Sequence, residues 1–180
     1  LTRDRGYTRG AMTSEPEDGA AALAGTPYRF VAPLGEGGMG TVLEAEHVGL
    51  AQRVVVKLLR ADLALRGDLA DRMRVEAQAL ARLSHPNVVQ IYEVGSWQNH
   101  DFIAMEYVDG TTLDRWLADK PRAPTEVLDR LVQAGRGLAA AHAAGLVHRD
   151  VKPDNLFITR GPGGTTRLKL LDFGLARETK

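Results

Sequence analysis

The densest set of chemically capable side chains is the run His148-Arg149-Asp150-Val151-Lys152-Pro153-Asp154-Asn155, set between the apolar segments Gly145-Leu146-Val147 and Leu156-Phe157-Ile158. A charged loop wedged between two apolar segments needs more explanation than solubility. A carboxylate can orient a hydroxyl and accept its proton, and a lysine two residues on can neutralise a phosphoryl group. Amide and carboxylate oxygens suit a hard cation. A further carboxylate arrives in Asp172-Phe173-Gly174. Phosphoryl transfer is a chemistry that uses such a set.

A second group lies upstream. Gly35-Glu36-Gly37-Gly38-Met39-Gly40 fits G-x-G-x-x-G, with glycine where backbone N–H groups must approach phosphate oxygens. Alone it is also the pattern of an ordinary glycine-rich turn. A Walker A loop needs lysine where Thr41 stands, and a dinucleotide fingerprint should open a helix, whereas Thr41 to His47 alternates like a strand. The remaining arrangement is a strand–glycine loop–strand hairpin over a nucleotide, with Val42 packing on the base. Lys57 ends the apolar run Val54-Val55-Val56, and Glu76 is the only glutamate between it and Glu93. Glu76 falls in the apolar set Leu69, Met73, Ala77 and Leu80, where a carboxylate is costly unless paired, and Lys57 is the expected partner.

The elements that must position these groups follow from periodicity. Strands are expected at Tyr28–Leu34, Thr41–His47, Arg53–Leu59, Val88–Gly95 and Asp101–Tyr107, with one helix between Gly67 and Leu83. After Asp109-Gly110 the character becomes helical: a short helix from Leu113 to Leu117 and a long one from Thr125 to Ala144. A hairpin is expected from Leu156–Thr159 and Arg167–Leu171 across Gly161-Pro162-Gly163-Gly164. His85, His142 and the leucines of the long helix read as structural. Residues 1–26 read as a disordered lead-in with too little apolar surface to offset ordering. Within it, residues 1–11, ahead of Met12, read as upstream read-through or appended sequence.

Composition excludes several classes. Lys and Arg number 23 against 23 Asp and Glu, so no net field favours nucleic acid or anionic lipid. There is no cysteine, hence no disulfide or thiolate metal site, which fits a reducing, cytoplasmic setting. No apolar run is long enough for a membrane span. A membrane anchor beyond residue 180 stays open.

The glycine loop, Lys57, Glu76, His148-Arg149-Asp150 through Asn155, and Asp172-Phe173-Gly174, in this order, resemble the protein kinase signature set over residues 28–177. The Gly-Gly-Met-Gly form is similar to that of bacterial serine/threonine kinases. The resemblance implies an α+β, protein-kinase-like fold. It has a five-stranded antiparallel N-lobe with one helix (28–107), a hinge (105–110) and the start of a mainly helical C-lobe (111–180).

The resemblance also implies roles. Asp150 is the catalytic carboxylate and Lys152 its helper at the transferring phosphoryl, in the serine/threonine form. Gly35, Gly37, Gly38 and Gly40 cover ATP, and Lys57 with Glu76 hold its phosphates. Val42, Val55 and Phe157 sandwich adenine. Met105 is the gatekeeper, and Glu106 and Val108 supply hinge backbone groups. Asn155 and Asp172 hold Mg²⁺, with Mn²⁺ as an alternative. Leu80, Ile91, His148 and Phe173 match the hydrophobic stack that links the lobes, and Arg149 implies control by activation-loop phosphorylation. Expected partners are Ser/Thr-bearing proteins and ATP, with a homodimer as a route to autophosphorylation.

Two departures stand out. Val55 replaces the usual alanine, and overpacking of that kind costs ~1–3 kcal/mol if nothing relaxes, so looser ATP binding is expected. The chain also stops at Lys180, ahead of the activation-loop phosphosite and Ala-Pro-Glu motif, so the piece is expected to lack the substrate platform. An ATP-binding pseudokinase or scaffold is the alternative, disfavoured because no chemical residue is missing. A small-molecule phosphotransferase usually lacks Lys152 and the Asp172-Phe173-Gly174 form.

Overall fold

The computed structural model describes residues 21, 23–37, 40–59, 75–97, 100–160 and 165–173. They divide into two compact units, the described residues of Tyr7–Gln78 with Ile91–Tyr107, and those of Ala79–Gln90 with Val108–Lys180.

The first unit is a five-stranded antiparallel sheet of β1 (Tyr28–Gly37), β2 (Gly40–His47), β3 (Gln52–Leu59), β4 (Ile91–Trp97) and β5 (His100–Glu106), in the order β1-β2-β3-β5-β4. Side chains alternate across it. Leu43, Ala45, Val54, Val56, Phe102 and Ala104 cluster on one face with Tyr28 and Leu23. Val55 and Lys57, out of phase with them on β3, lie on the opposite face and are also buried. Burial on both sides explains why Val54-Val55-Val56 is an unbroken β-branched run.

Leu23 corrects the expected extent of the lead-in. It is 3% exposed in that cluster. The Thr26 hydroxyl donates to its carbonyl at 2.7 Å, and Trp97 Nε1 donates to the Ala24 carbonyl at 2.7 Å. Burying one leucine contributes ~1.5–3 kcal/mol, enough to order four residues that average composition wrote off. The rest of the lead-in lies outside the described residues, apart from Ala21.

The expected helix is seen at residues 75–81, where Ala77 and Leu80 are buried; Leu69 and Met73 lie outside the described residues. The expected strand at Val88–Gly95 is displaced to Ile91–Trp97. Val88 and Val89 belong instead to the second unit. Val88 bridges to Leu170, and the Val89 N–H donates to the Leu170 carbonyl at 2.9 Å.

The second unit holds α1 (Leu113–Asp119), α2 (Pro124–Ala143) and a three-stranded sheet of order β6-β7-β8. β7 (Leu156–Arg160) and β8 (Thr166–Leu170) are the expected hairpin. β6 (Gly110–Thr112) is additional to the expected strands, because three residues carry no periodicity and its strand character comes from pairing with β7. α2 starts with Pro124 at its first turn, where the missing N–H costs nothing. It ends at Gly145 (φ 76°), with the Leu146 N–H donating to the Ala141 carbonyl at 2.9 Å.

The buried face of α2 consists of the small residues Ala134, Gly137 and Ala141, which let it lie close to β8 and Asn87. Leu128 and Leu131 are exposed, so these leucines do not serve the core of this unit. Gln133 Oε1 accepts from the Leu168 N–H at 2.8 Å, while Asn87 Nδ2 donates to the Leu168 carbonyl at 2.7 Å. Both backbone groups of Leu168, at the middle of β8, are thereby satisfied.

Candidate active site

In the second unit the polar run forms a tight cluster. Lys152 Nζ lies 3.2 Å from Asp150 Oδ2. Asn155 Nδ2 donates to the same oxygen at 3.1 Å and to the Asp150 backbone carbonyl at 2.8 Å. Asn155 is buried by a single turn of 3-10 helix (Pro153–Asn155) that leads directly into β7. The other end of the hairpin delivers Asp172. Leu156 pairs with Leu170, and the Leu171 N–H donates to the Asn155 carbonyl at 2.9 Å. The hairpin therefore holds Asn155 and the segment leading into Asp172 at one end, although Asp172 comes seventeen residues after Asn155 in sequence.

His148 fastens the cluster from below. It is 1% exposed, with Nε2 3.0 Å from the Leu171 carbonyl and Nδ1 accepting from the Asp150 N–H at 3.3 Å. These partners assign a neutral ring protonated at Nε2. Burial pushes its pKa down, outweighing the upward pull of the carbonyl hydrogen bonds. Its ring lies 4.5 Å from that of Phe173, centroid to centroid. Arg149 (φ 61°) and Asp172 (φ 53°) both adopt the left-handed region. That conformation costs roughly 1–2 kcal/mol for a residue with a Cβ, and strain of this kind concentrates at functional sites.

In the first unit the glycine run is the tip of the β1–β2 hairpin, with Gly35 opposite Val42 and Gly37 opposite Gly40. This is the strand–loop–strand arrangement expected from the pattern; Gly38 lies outside the described residues. Gly40 has φ 140°, and a Cβ there would stand 1.8 Å from the Leu58 carbonyl oxygen, so only glycine fits. Val42 pairs with Lys57 and Lys57 with Ile103, while Val55 pairs with Met105, placing these side chains in adjacent rows of one face. Lys57 is 8% exposed. Glu76 is half-buried on the helical segment at 75–81. Glu106 ends β5. Val108 and Phe157 are buried in the second unit, where Phe157 pairs with Thr112.

The donor set suits a hard divalent cation. Among the described residues, no group of three or more His, Cys, Asp or Glu is placed to hold a metal ion. Mg²⁺ does not need one, since it is usually bound by one or two carboxylates together with substrate phosphates. Asp172 is exposed, and Asn155 commits its amide nitrogen to Asp150, so Oδ1 is the amide atom that could face a cation.

A glycine hairpin beside a buried lysine in one unit, and an Asp–Lys–Asn cluster tied to the residue before a second Asp in the other, define a protein-kinase-like molecule. Residues 28–180 match the family described as "Protein kinase domain", and the chain belongs to that family. It is 39% identical over 171 residues to serine/threonine-protein kinase Pkn1 of Myxococcus xanthus, covering 95% of this chain and 24% of the relative. It is 39% identical over 150 residues to serine/threonine-protein kinase PrkC of Bacillus subtilis, covering 83% of this chain and 22% of the relative. Among solved structures, the kinase domain of Mycobacterium tuberculosis PknI superposes with a TM-score of 0.71 at 32% identity. That superposition covers 88% of this chain and 64% of that one. The chain thus spans about a quarter of the length of these curated relatives and under two thirds of the solved domain.

From sequence, His148 reads as a member of a hydrophobic stack. Its two ring nitrogens, bonded to residues 150 and 171, show that it also fixes the geometry of the 148–155 run. The adjacency of His148 to Asp150 was the available signal; the Leu171 contact had none.

Proposed function

We propose that this chain is the nucleotide- and metal-handling part of a serine/threonine protein kinase that transfers the γ-phosphoryl of ATP to protein hydroxyls. The observation that carries the proposal is the Asp150 cluster, where one carboxylate oxygen is shared by Lys152 and Asn155. That arrangement suits a group that must orient a hydroxyl and take its proton beside a positive charge. Asp150 accepts the proton, and Lys152 balances charge on the transferring group. Lys57, held by Glu76, steadies the phosphates beneath backbone groups of Gly35, Gly37, Gly38 and Gly40. Val42, Val55, Met105 and Glu106 of the first unit, and Val108 and Phe157 of the second, are the residues assigned to adenine. Asn155 and Asp172 would hold Mg²⁺ (or Mn²⁺), which when bound neutralises phosphate charge.

The names of the relatives support Ser/Thr-bearing proteins as substrates. Among the described residues, no helix is long and apolar enough to cross a membrane. With the absence of cysteine, this supports a cytoplasmic setting. Autophosphorylation would pair two copies.

The test uses the full-length protein with Mg²⁺ and labelled ATP. Label on Ser or Thr is expected. Asp150→Asn and Lys57→Ala should each lower the rate by about 10²-fold or more. Labelling that survives at the wild-type rate in Asp150→Asn would sink the assignment.

A further inference from the structure

Glu44 is a buried carboxylate that the proposed chemistry does not use. It is 2% exposed. Its register partner on β3 is Val55, whose own partner on the next strand is Met105, so it lies in one row of the face that also carries Val42 and Lys57. A carboxylate buried there is costly unless charge and hydrogen bonds meet it. Arg53 on β3 meets it: Nε and Nη2 both donate to Glu44 Oε1, at 3.1 and 2.6 Å. The same guanidinium lies over the Tyr107 ring, 3.9 Å from its centroid. Partial burial works against its charge, but the hydrogen bond to Glu44 and its neighbours prevail and raise its pKa. One arginine thus ties β2, β3 and the residue that follows β5, immediately before Val108.

We propose that Glu44, Arg53 and Tyr107 form a positioning brace that sets nucleotide affinity by fixing the chain at Glu106–Tyr107, where the backbone meets adenine. The inference rests on the nucleotide-binding reading above. Arg53 fills the brace because its planar fork can serve a carboxylate and stack on a ring at once, which an ammonium cannot. The brace acts on binding and not on the transfer step, since none of its members belongs to the Asp150 cluster.

Isothermal titration of the full-length protein with Mg-ATP and Mg-ADP, alongside steady-state kinetics, tests this. Arg53→Met alone takes the guanidinium from a buried carboxylate and can unfold the sheet. The paired change Glu44→Gln/Arg53→Met and the ring change Tyr107→Leu therefore carry the test. Loss of one partly exposed cation–π contact should weaken nucleotide binding about two- to fivefold. KM for ATP should rise by the same factor while kcat is retained. Tyr107→Phe, which keeps the ring, should restore affinity. Unaltered affinity in Tyr107→Leu and in the paired variant would overturn the brace. So would kcat falling in step with melting temperature, which marks a merely structural role. A wild-type protein that binds no Mg-ATP would refute the nucleotide reading and the brace with it, whereas wild-type binding with unaltered variants refutes the brace alone.

Discussion

Gly135 and Gly137 sit two residues apart on α2 and should respond to alanine with opposite signs. At Gly135, exposed on the helix, an added Cβ meets nothing within 4 Å. Alanine there gains only helix propensity, ~0.8–1.0 kcal/mol of stability. At Gly137 the Cβ would stand 2.8 Å from the Asn87 carbonyl oxygen and 2.8 Å from Leu170 Cδ1. The leucine methyl can rotate away. The carbonyl cannot easily move, because it accepts the Leu170 N–H at 2.9 Å and so anchors β8. Overpacking against backbone costs ~1–3 kcal/mol, which cancels or exceeds the same propensity gain. The difference between the two variants removes the propensity term and isolates the close approach, at about 2 kcal/mol. With m near 2 kcal/mol/M, the urea midpoints should lie about 1 M apart, Gly135→Ala above wild type and Gly137→Ala at or below it. If Gly137→Ala is stabilised as much as Gly135→Ala, α2 does not press on β8 and the account of the hairpin's support fails. On the proposed function that support matters, because the hairpin carries Asn155 and the approach to Asp172.

Two further outcomes are expected. Gly40→Ala adds left-handed strain and a contact with the Leu58 carbonyl, together ~2 kcal/mol or more; the melting temperature should fall by roughly 4–8 °C, and a melt within a degree of wild type would refute the reading. His148 is buried neutral with a lowered pKa, so its contribution is present above the unfolded value of about 6.5 and is lost as pH falls below it toward the folded value. Denaturant melts between pH 7.5 and 5.5 should therefore show a smaller loss in His148→Phe than in wild type, and identical slopes would contradict the burial argument.

Contiguity explains what could be read directly. The 148–155 run, the glycine hairpin and the long helix are each local, and their spacing alone predicts a turn, a strand or a helical face. The α+β class and the family resemblance follow from those local pieces in order. What escaped was set by partners distant in the chain. β6 exists only because β7 lies beside it. Val88 and Val89 look like the start of a strand, yet they pair with Leu170 and join the other unit.

The sequence by itself determined which groups are available for chemistry: Asp150, Lys152, Asn155, Asp172, Lys57 and a glycine run flanked by strand-forming residues. Tertiary structure alone decided their company. It brought the Leu171 carbonyl to His148, ordered Leu23 against the sheet, buried the small face of α2 in place of Leu128 and Leu131, and laid Arg53 between Glu44 and Tyr107. The physical reason is register. A side chain's type travels with the chain, but its face, burial and partner depend on which residue of another strand stands opposite, and that is settled only when the sheet forms.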